Sequence, residues 1–258
     1  MTKLYTDDAE LYDIAFDWDV TSEVEWLLDR LGPDCRSLFE PGCGSGRMLE
    51  AFSSRGLEVV GLDSSPAMVS LARERLRGRG TVHLGDMTDF HLGRSFDGAV
   101  APINTLLHLT PAELQCHLGV MAAHLEPGGG YLVQLGLVDP DQNEPFAGSH
   151  WDARRGETHL RIDWTDEELD LAGGRSLQRS RIQVLQGPRA GEVIEEVHEM
   201  SAWTPDAWHS AIARTPFVAI AAYDGAQEGW PKVDRKTTGG LLWHELRLPN
   251  DPPPAQLS

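Results

Sequence analysis

The sequence predicts an α/β fold: a doubly wound, mainly parallel, seven-stranded sheet with an antiparallel β lid inserted after the fifth strand. Two observations predict it. From about residue 20 to 136, short apolar runs alternate with amphipathic stretches through short connections, as in a parallel sheet covered on both faces. After residue 138, strand-like runs separated by glycine-containing turns replace that rhythm, the pattern of an antiparallel set. The expected divisions are 1–138, a ligand-binding core with N-terminal cap helices; 139–202, the insertion; 203–248, the end of the core; and 249–258, a disordered tail.

Each element has its own signal. In "DVTSEVEWLLDRLG", Val20, Val24, Leu27, Leu28 and Leu31 share one helical face, with Ser22 and Glu25 spaced as a capping box. "SLFE" (37–40) is a strand running into the glycine loop "PGCGSG", and "RMLEAFSSRG" is a helix stopped by Gly56. "LEVVGLD" (57–63) is the next strand; the following helix has Ser65 as its cap, Pro66 at its first position and Gly78 at its end. "TVHLGD" (81–86) and "FDGAVAPIN" (96–104) are strands. A helix capped by Thr110 and Glu113 ends at Gly128 to Gly130, and "YLVQLGLV" follows as a strand. "THLRIDWTD", "SLQRSRIQVLQG" and "GEVIEEVHEMSAW" read as three inserted strands; a helix, "TPDAWHSAIART", and the strands "FVAIAAYDG" and "GLLWHELRLP" complete the core.

The chain carries 40 acidic against 22 basic residues, a formal charge of −18. Phosphate repulsion and the lack of a basic stripe argue against nucleic acid as a partner. No apolar run approaches the roughly 20 residues of a membrane-spanning helix, and the N-terminus shows no signal pattern, so no membrane partner and a cytoplasmic location are expected. Cys35, Cys43 and Cys116 are too few and scattered for a disulfide framework or zinc spacing; no metal site is expected.

In an open α/β sheet, ligands bind beyond the carboxyl ends of the strands. Gly42, Gly44 and Gly46 stand there and let backbone approach a ligand closely. Asp63 ends the second strand, where a carboxylate can accept hydrogen bonds from both ribose hydroxyls. Asp86 ends the third, near the place of an adenine ring. Singly, either aspartate is as readily a turn cap; together with the loop they outline a nucleoside site.

These residues resemble the motifs of the class I S-adenosylmethionine-dependent methyltransferases, which have a Rossmann-like fold. "FEPGCGSGR" is similar to their first motif, with Glu40, Gly42, Gly44 and Gly46 in order and Cys43 as a variant. "VVGLDSSPAMVSLAR" resembles the second, "GDM" (85–87) the third, and "LEPGGGYLV" the entry to strand five. The resemblance spans roughly residues 10–136. It implies S-adenosylmethionine as cofactor, S-adenosylhomocysteine as product, and a methionyl end met by loop backbone. Glu40 would act through the charged amino group or a water, Asp63 at the ribose, and Met68 and Asp86 near the adenine, with Ser64 and Met87 also binding the cofactor. Ala101 in the fourth strand and Tyr12 in an N-terminal segment that closes over the cofactor complete the set. The rival, an NAD-dependent oxidoreductase, has the fingerprint G-x-G-x-x-G, but Arg47 holds its third glycine position. A non-catalytic nucleotide-binding protein is the remaining alternative.

Methyl transfer needs positioning and sometimes a base. His108, in "NTLLHLT" past the fourth strand, is the candidate base or substrate-orienting group, the alternative being a packed histidine. Trp18, Trp151, Trp164 and Glu199 are the candidate substrate contacts; indoles beside carboxylates can wrap a flat or cationic ligand, or else fill a second small core. The expected acceptor is a small molecule, a secondary metabolite methylated on an amine nitrogen, since acidic surroundings suit an incoming cation. Carbon methylation of an electron-rich ring such as indole, and O-methylation, are the alternatives. A homodimer is expected if the inserted sheet has a bare edge.

Overall fold

The computed structural model describes residues 2–141, 148–234 and 239–250. The chain enters through a short 3-10 turn and α1 (Ala9–Ala15), then α2 (Thr21–Leu31). A βα alternation follows: β1 (Ser37–Pro41), α3 (Arg47–Ser53), β2 (Glu58–Asp63), α4 (Pro66–Leu76), β3 (Thr81–Leu84), β4 (Phe96–Ala101), α5 (Pro111–Ala123) and β5 (Leu125–Leu137). Four strands come next, β6 (Ser149–Arg155), β7 (Thr158–Asp170), β8 (Arg175–Gln186) and β9 (Val193–Ser201). The core closes with α6 (Pro205–Ile212), β10 (Val218–Asp224), β11 (Lys232–Val233) and β12 (Gly240–Arg247).

The main sheet has the order β11-β10-β12-β5-β4-β1-β2-β3, and the second sheet the order β6-β7-β8-β9. Strands β1 to β5 pair in parallel; β12 runs antiparallel between β5 and β10. The main sheet thus has eight strands rather than seven, because β11 adds two residues opposite Ala222 and Tyr223, too short a run to stand out in the sequence. Both faces are covered. Phe39, Val60, Ala99 and Val133 pack under α5 and α6, while their neighbours Leu38, Val59, Val100 and Leu132 pack under α2, α3 and α4. That is the period-2 alternation of a strand buried on both sides.

Several local expectations need correction. Helix α2 has no Ser22–Glu25 box; it begins at Thr21, whose N–H donates to the Asp19 carboxylate at 2.8 Å. Helix α5 has the Thr110–Glu113 box but stops at Ala123, and β5 starts at Leu125, because the N–H of Phe96 bonds the His124 carbonyl and Leu125 pairs with Phe96. Strand β3 ends at Leu84, since the Asp86 carboxylate takes the Thr88 N–H and hydroxyl and turns the chain. The insertion has four strands, not three: β6 pairs with β7 across a two-residue turn at Gly156 and Glu157, but its many charges hide it. The expected disordered tail lies outside the described residues from 251 onward.

The antiparallel sheet is tied to the core by the N-terminal segment. Leu4, Leu11 and Ala15 pack with Leu160, Ile162, Ile182 and Val184. The Glu196 carboxylate accepts the N–H groups of Lys3 and Leu4 at 2.6 and 3.1 Å. Buried Asp13 bridges Arg75 of α4 (2.6 Å) and Arg155 of β6. One short segment thereby fixes the lid to the parallel sheet. Among the described residues, no helix is long and apolar enough to cross a membrane.

Candidate active site

The chain passes from β1 to β2 to β3 on one side, then returns to β4 on the other side of β1. Loops leaving β1 and β4 therefore part company, and the crevice between them is where an open α/β sheet binds ligands. A cavity of about 1040 Å³ lies there. Its floor is the carboxyl edge (Glu40, Gly42, Gly44, Asp63, Ile103, Asn104); its roof is the N-terminal segment and the inner face of the antiparallel sheet. A recess of about 200 Å³, lined by Asp63, Ser64, Gly85, Asp86 and Met87, adjoins it and shares His108 with it.

The three glycines of the loop divide their work. All have positive φ, +64°, +52° and +78°. A Cβ on Gly42 would stand 2.5 Å from Cγ2 of Thr105, and one on Gly46 would stand 3.0 Å from Cβ of Ala72 in α4. Only on Gly44 would it meet nothing within 4 Å. Gly42 and Gly44 both line the cavity, Gly42 against Thr105 and Gly44 with open space before it, whereas Gly46 lets α3 and α4 pack closely and does not line it, a correction to its expected role. Cys43 is buried, with its sulfur against Gly61, and burial pushes its thiol well up, so it stays a protonated packing group.

Two carboxylates flank the loop. Asp63 accepts the N–H of Gly44 and of Ser65, both at 2.8 Å, which fixes its rotamer while its second lone pairs remain available. Burial raises its pKa against those backbone bonds. Glu40 is buried, and its Oε2 has no hydrogen-bond partner. Burial pushes its pKa up to about 8, opposed by Arg47. An unpartnered buried carboxyl oxygen in a cavity wall is an invitation to a cationic ligand group. Met68 and Met87 line the cavity, Asp86 lines the recess, and Ala101 is buried in β4 in the apolar core, off both surfaces.

Beyond β4 the chain makes a strained turn, with Ile103 at φ 44° and Asn104 at φ 61°. Gln134 accepts the Ile103 N–H at 2.7 Å, and Asn104 accepts the Gly136 N–H at 2.6 Å. This turn delivers His108 to the cavity wall. His108 is open to the cavity yet enclosed by protein, and that desolvation, with His198 nearby, pushes its pKa down to about 4. Its Nε2 lies 3.4 Å from the Tyr5 hydroxyl.

The roof is aromatic. Tyr12 stacks on Phe16 (4.3 Å between centroids), and Phe16 meets Trp151 and Trp164 edge-on at 5.5 and 5.8 Å. Trp164 stacks on His198 at 4.8 Å and 9°. The indole N–H groups are engaged, Trp151 to the Ala15 carbonyl (2.8 Å) and Trp164 to Gln178 (2.9 Å). Trp18 is 42% exposed at the mouth, with the Arg47 guanidinium over its ring at 4.4 Å. Glu199 reaches the rim only, its side chain 70% exposed beside Arg175. The inward residue on that strand is its neighbour His198, whose Nε2 pairs with Ser180 at 2.8 Å. Tyr5, Asn104, Gln134, Arg47 and His198 are not among the residues the sequence singles out; for His198 the available signal is its even spacing from Ile194 and Met200.

A sheet of this order with a glycine loop, a strand-end aspartate and a deep cavity at its switch point is the arrangement of the class I S-adenosylmethionine-dependent methyltransferases, and part of the chain matches their domain. Residues 39–129 match a family model described as a methyltransferase domain. The dTDP-3-amino-3,4,6-trideoxy-alpha-D-glucopyranose N,N-dimethyltransferase of Streptomyces venezuelae is 36% identical over 135 residues. That alignment covers 50% of this chain and 56% of the relative, so it spans about half of that protein's length. The dTDP-3-amino-3,6-dideoxy-alpha-D-glucopyranose N,N-dimethyltransferase of Streptomyces fradiae is 28% identical over 214 residues, covering 79% of this chain and 80% of the relative. In fold the chain is similar to the S-adenosylmethionine-bound amino pentose methyltransferase CalS10 of Micromonospora echinaspora, with a TM-score of 0.74 and 24% identity, covering 92% and 96% of the two chains. The cofactor of the family is S-adenosylmethionine.

Proposed function

We propose that this enzyme methylates the amine nitrogen of a small molecule, an amino sugar of secondary metabolism. One observation carries the reading: a neutral imidazole, His108, stands where the nucleoside-sized recess opens into the larger aromatic chamber. The cavity exceeds the roughly 300–1,000 Å³ of an ordinary ligand pocket, room for cofactor and acceptor side by side. The relatives' own acceptors, amino sugars, support the choice of nitrogen.

The residues present fit the cofactor. Asp63 would take the ribose hydroxyls, the recess beside Asp86 and Met87 the adenine, and unpartnered Glu40 the amino end. The cofactor supplies a methyl group activated on a positively charged sulfur. The chain's work is then to hold an unprotonated amine in line with that methyl group and exclude water. Tyr12 and Phe16 close the roof against water. The low pKa of His108 keeps the ring neutral at neutral pH, so that its unprotonated nitrogen can accept a hydrogen bond from the incoming amine and aim the nitrogen lone pair at the methyl group; the released proton passes to solvent. Tyr5, held as a phenol by burial, orients that ring.

The test is to incubate the purified enzyme with S-adenosylmethionine and a panel of amino sugars, and to locate the new methyl group by NMR. An N-methyl product is expected. Methylation of a hydroxyl or ring carbon, with amines inert, would overturn the reading.

A further inference from the structure

If the cavity is the site of amine methylation, the charges on its walls say how the acceptor is presented. Alternation along the antiparallel strands sorts side chains by face. Ser149, Trp151, Trp164, Asp166, Gln178 and His198 face the cavity. The sheet's arginines do not. Arg161 pairs with Asp152 (3.1 Å), Arg179 with Glu167 and Arg181 with Glu195 (2.8 Å) on the opposite face, and Arg155 is held by Asp13 and Asp17 of the N-terminal segment. Arg175, at the rim, is ringed by Glu168, Asp170 and Glu199 at 3.7–3.8 Å.

Among the described residues lining the cavity, Arg47 is the only arginine or lysine, against six carboxylic side chains. Arg47 belongs to the cofactor side: it begins α3 directly after the glycine loop and sits in the field of Glu23 and Glu40. The acceptor side offers indole faces, an amide, a serine hydroxyl and the His198 ring, with Asp166 and Glu199 at its edges. These groups suit the C–H faces and hydroxyls of a sugar ring. They are the wrong set for a diphosphate, which is met by arginine forks or lysines and is repelled by carboxylates.

We infer that the acceptor amine arrives on a carrier without phosphate, as an amino sugar already in glycosidic linkage. The reaction that supplies this substrate is then a glycosyl transfer that has released the nucleoside diphosphate, and methylation follows it. In this the chain departs from its relatives, whose names specify dTDP-linked sugars.

The experiment has two arms on the full chain loaded with S-adenosylhomocysteine, whose own binding is measured first. Calorimetric titration with dTDP and with UDP should show no saturable binding below millimolar concentrations; micromolar binding of either would overturn the inference. Arg235 and Lys236 lie outside the described residues, and the titration covers them, since any phosphate contact they make would register as binding. In the second arm, with S-adenosylmethionine, the methyl glycoside of a 3-amino sugar should be methylated with kcat/KM about tenfold or more above its dTDP-linked form. Equal or faster turnover of the dTDP form would overturn the inference. If S-adenosylhomocysteine binds and neither amine is methylated, the amino-sugar reading fails, while the dTDP titration still decides the phosphate question.

Discussion

Along the carboxyl edge of the parallel sheet, the cavity residues stand in a short fixed order, each where a strand stops: Glu40 at the end of β1 and Gly44 past it, Asp63 at the end of β2, Met87 past β3. On the antiparallel sheet, Trp151, Trp164, Gln178 and His198 come from four different strands, and only register brings them together. The first half of the cavity is built by local rules, the second by pairing over long sequence separations. A fault in the first is repaired by nothing nearby; a fault in the second is shared among stacked rings. Mutations should therefore act sharply on one side and diffusely on the other.

The largest expected effect falls at the junction. His108→Ala should lower kcat by about 10²-fold, the scale of losing a group that orients the reacting atom, with S-adenosylhomocysteine affinity little changed. Steady-state kinetics on the true acceptor, beside a binding titration, would separate the two; unchanged kcat would reduce His108 to packing. Asp63→Ala should weaken cofactor binding by about 1–3 kcal/mol, the scale for losing hydrogen bonds to a charged group, as read by calorimetry. On the lid side, Asp13→Asn removes a buried carboxylate shared by Arg75 and Arg155. Burial opposes its ionisation, but those arginines hold it below its ordinary pKa. A loss of about 2 kcal/mol in chemical denaturation is expected, less than the 3–5 kcal/mol of a fully buried pair because Arg155 is partly exposed.

Glu40 makes a pH prediction. Its folded pKa is raised to about 8, so at neutral pH the folded chain keeps a proton that the unfolded chain has lost. Stability of the free protein from this group is therefore present at acid pH and is lost as pH rises toward 8. Binding a ligand's ammonium group needs the ionised form, so cofactor affinity should increase from about pH 6 to about pH 8. Glu40→Gln should flatten that profile. The smallest effect is at the surface: Thr110→Ala removes the cap of α5 and should cost about 1 kcal/mol by thermal unfolding, with catalysis intact.

The same contrast decides what the sequence made legible. The parallel core, the glycine loop and Asp63 could be read because strand ends and tight turns demand particular residues. Trp151 and Trp164 were readable as lid aromatics, but their partner was not: His198 rather than Glu199 faces inward because β9 alternates about its pairing with β8. Gly46 looked like a ligand contact, and only the nearness of Ala72 shows it to be a packing residue. Tyr5 and Asn104 carried no sequence signal, since one depends on a strap folding back over some hundred residues and the other on a strained turn held by Gln134 and Gly136.

The most direct test of the central claim is calorimetric titration of the wild-type chain and Asp63→Ala with S-adenosylhomocysteine, with NAD in parallel. S-adenosylhomocysteine should bind the wild type at micromolar concentration and the variant clearly more weakly, and NAD should bind neither. Binding of NAD without S-adenosylhomocysteine, or equal S-adenosylhomocysteine affinity in both proteins, would contradict that claim.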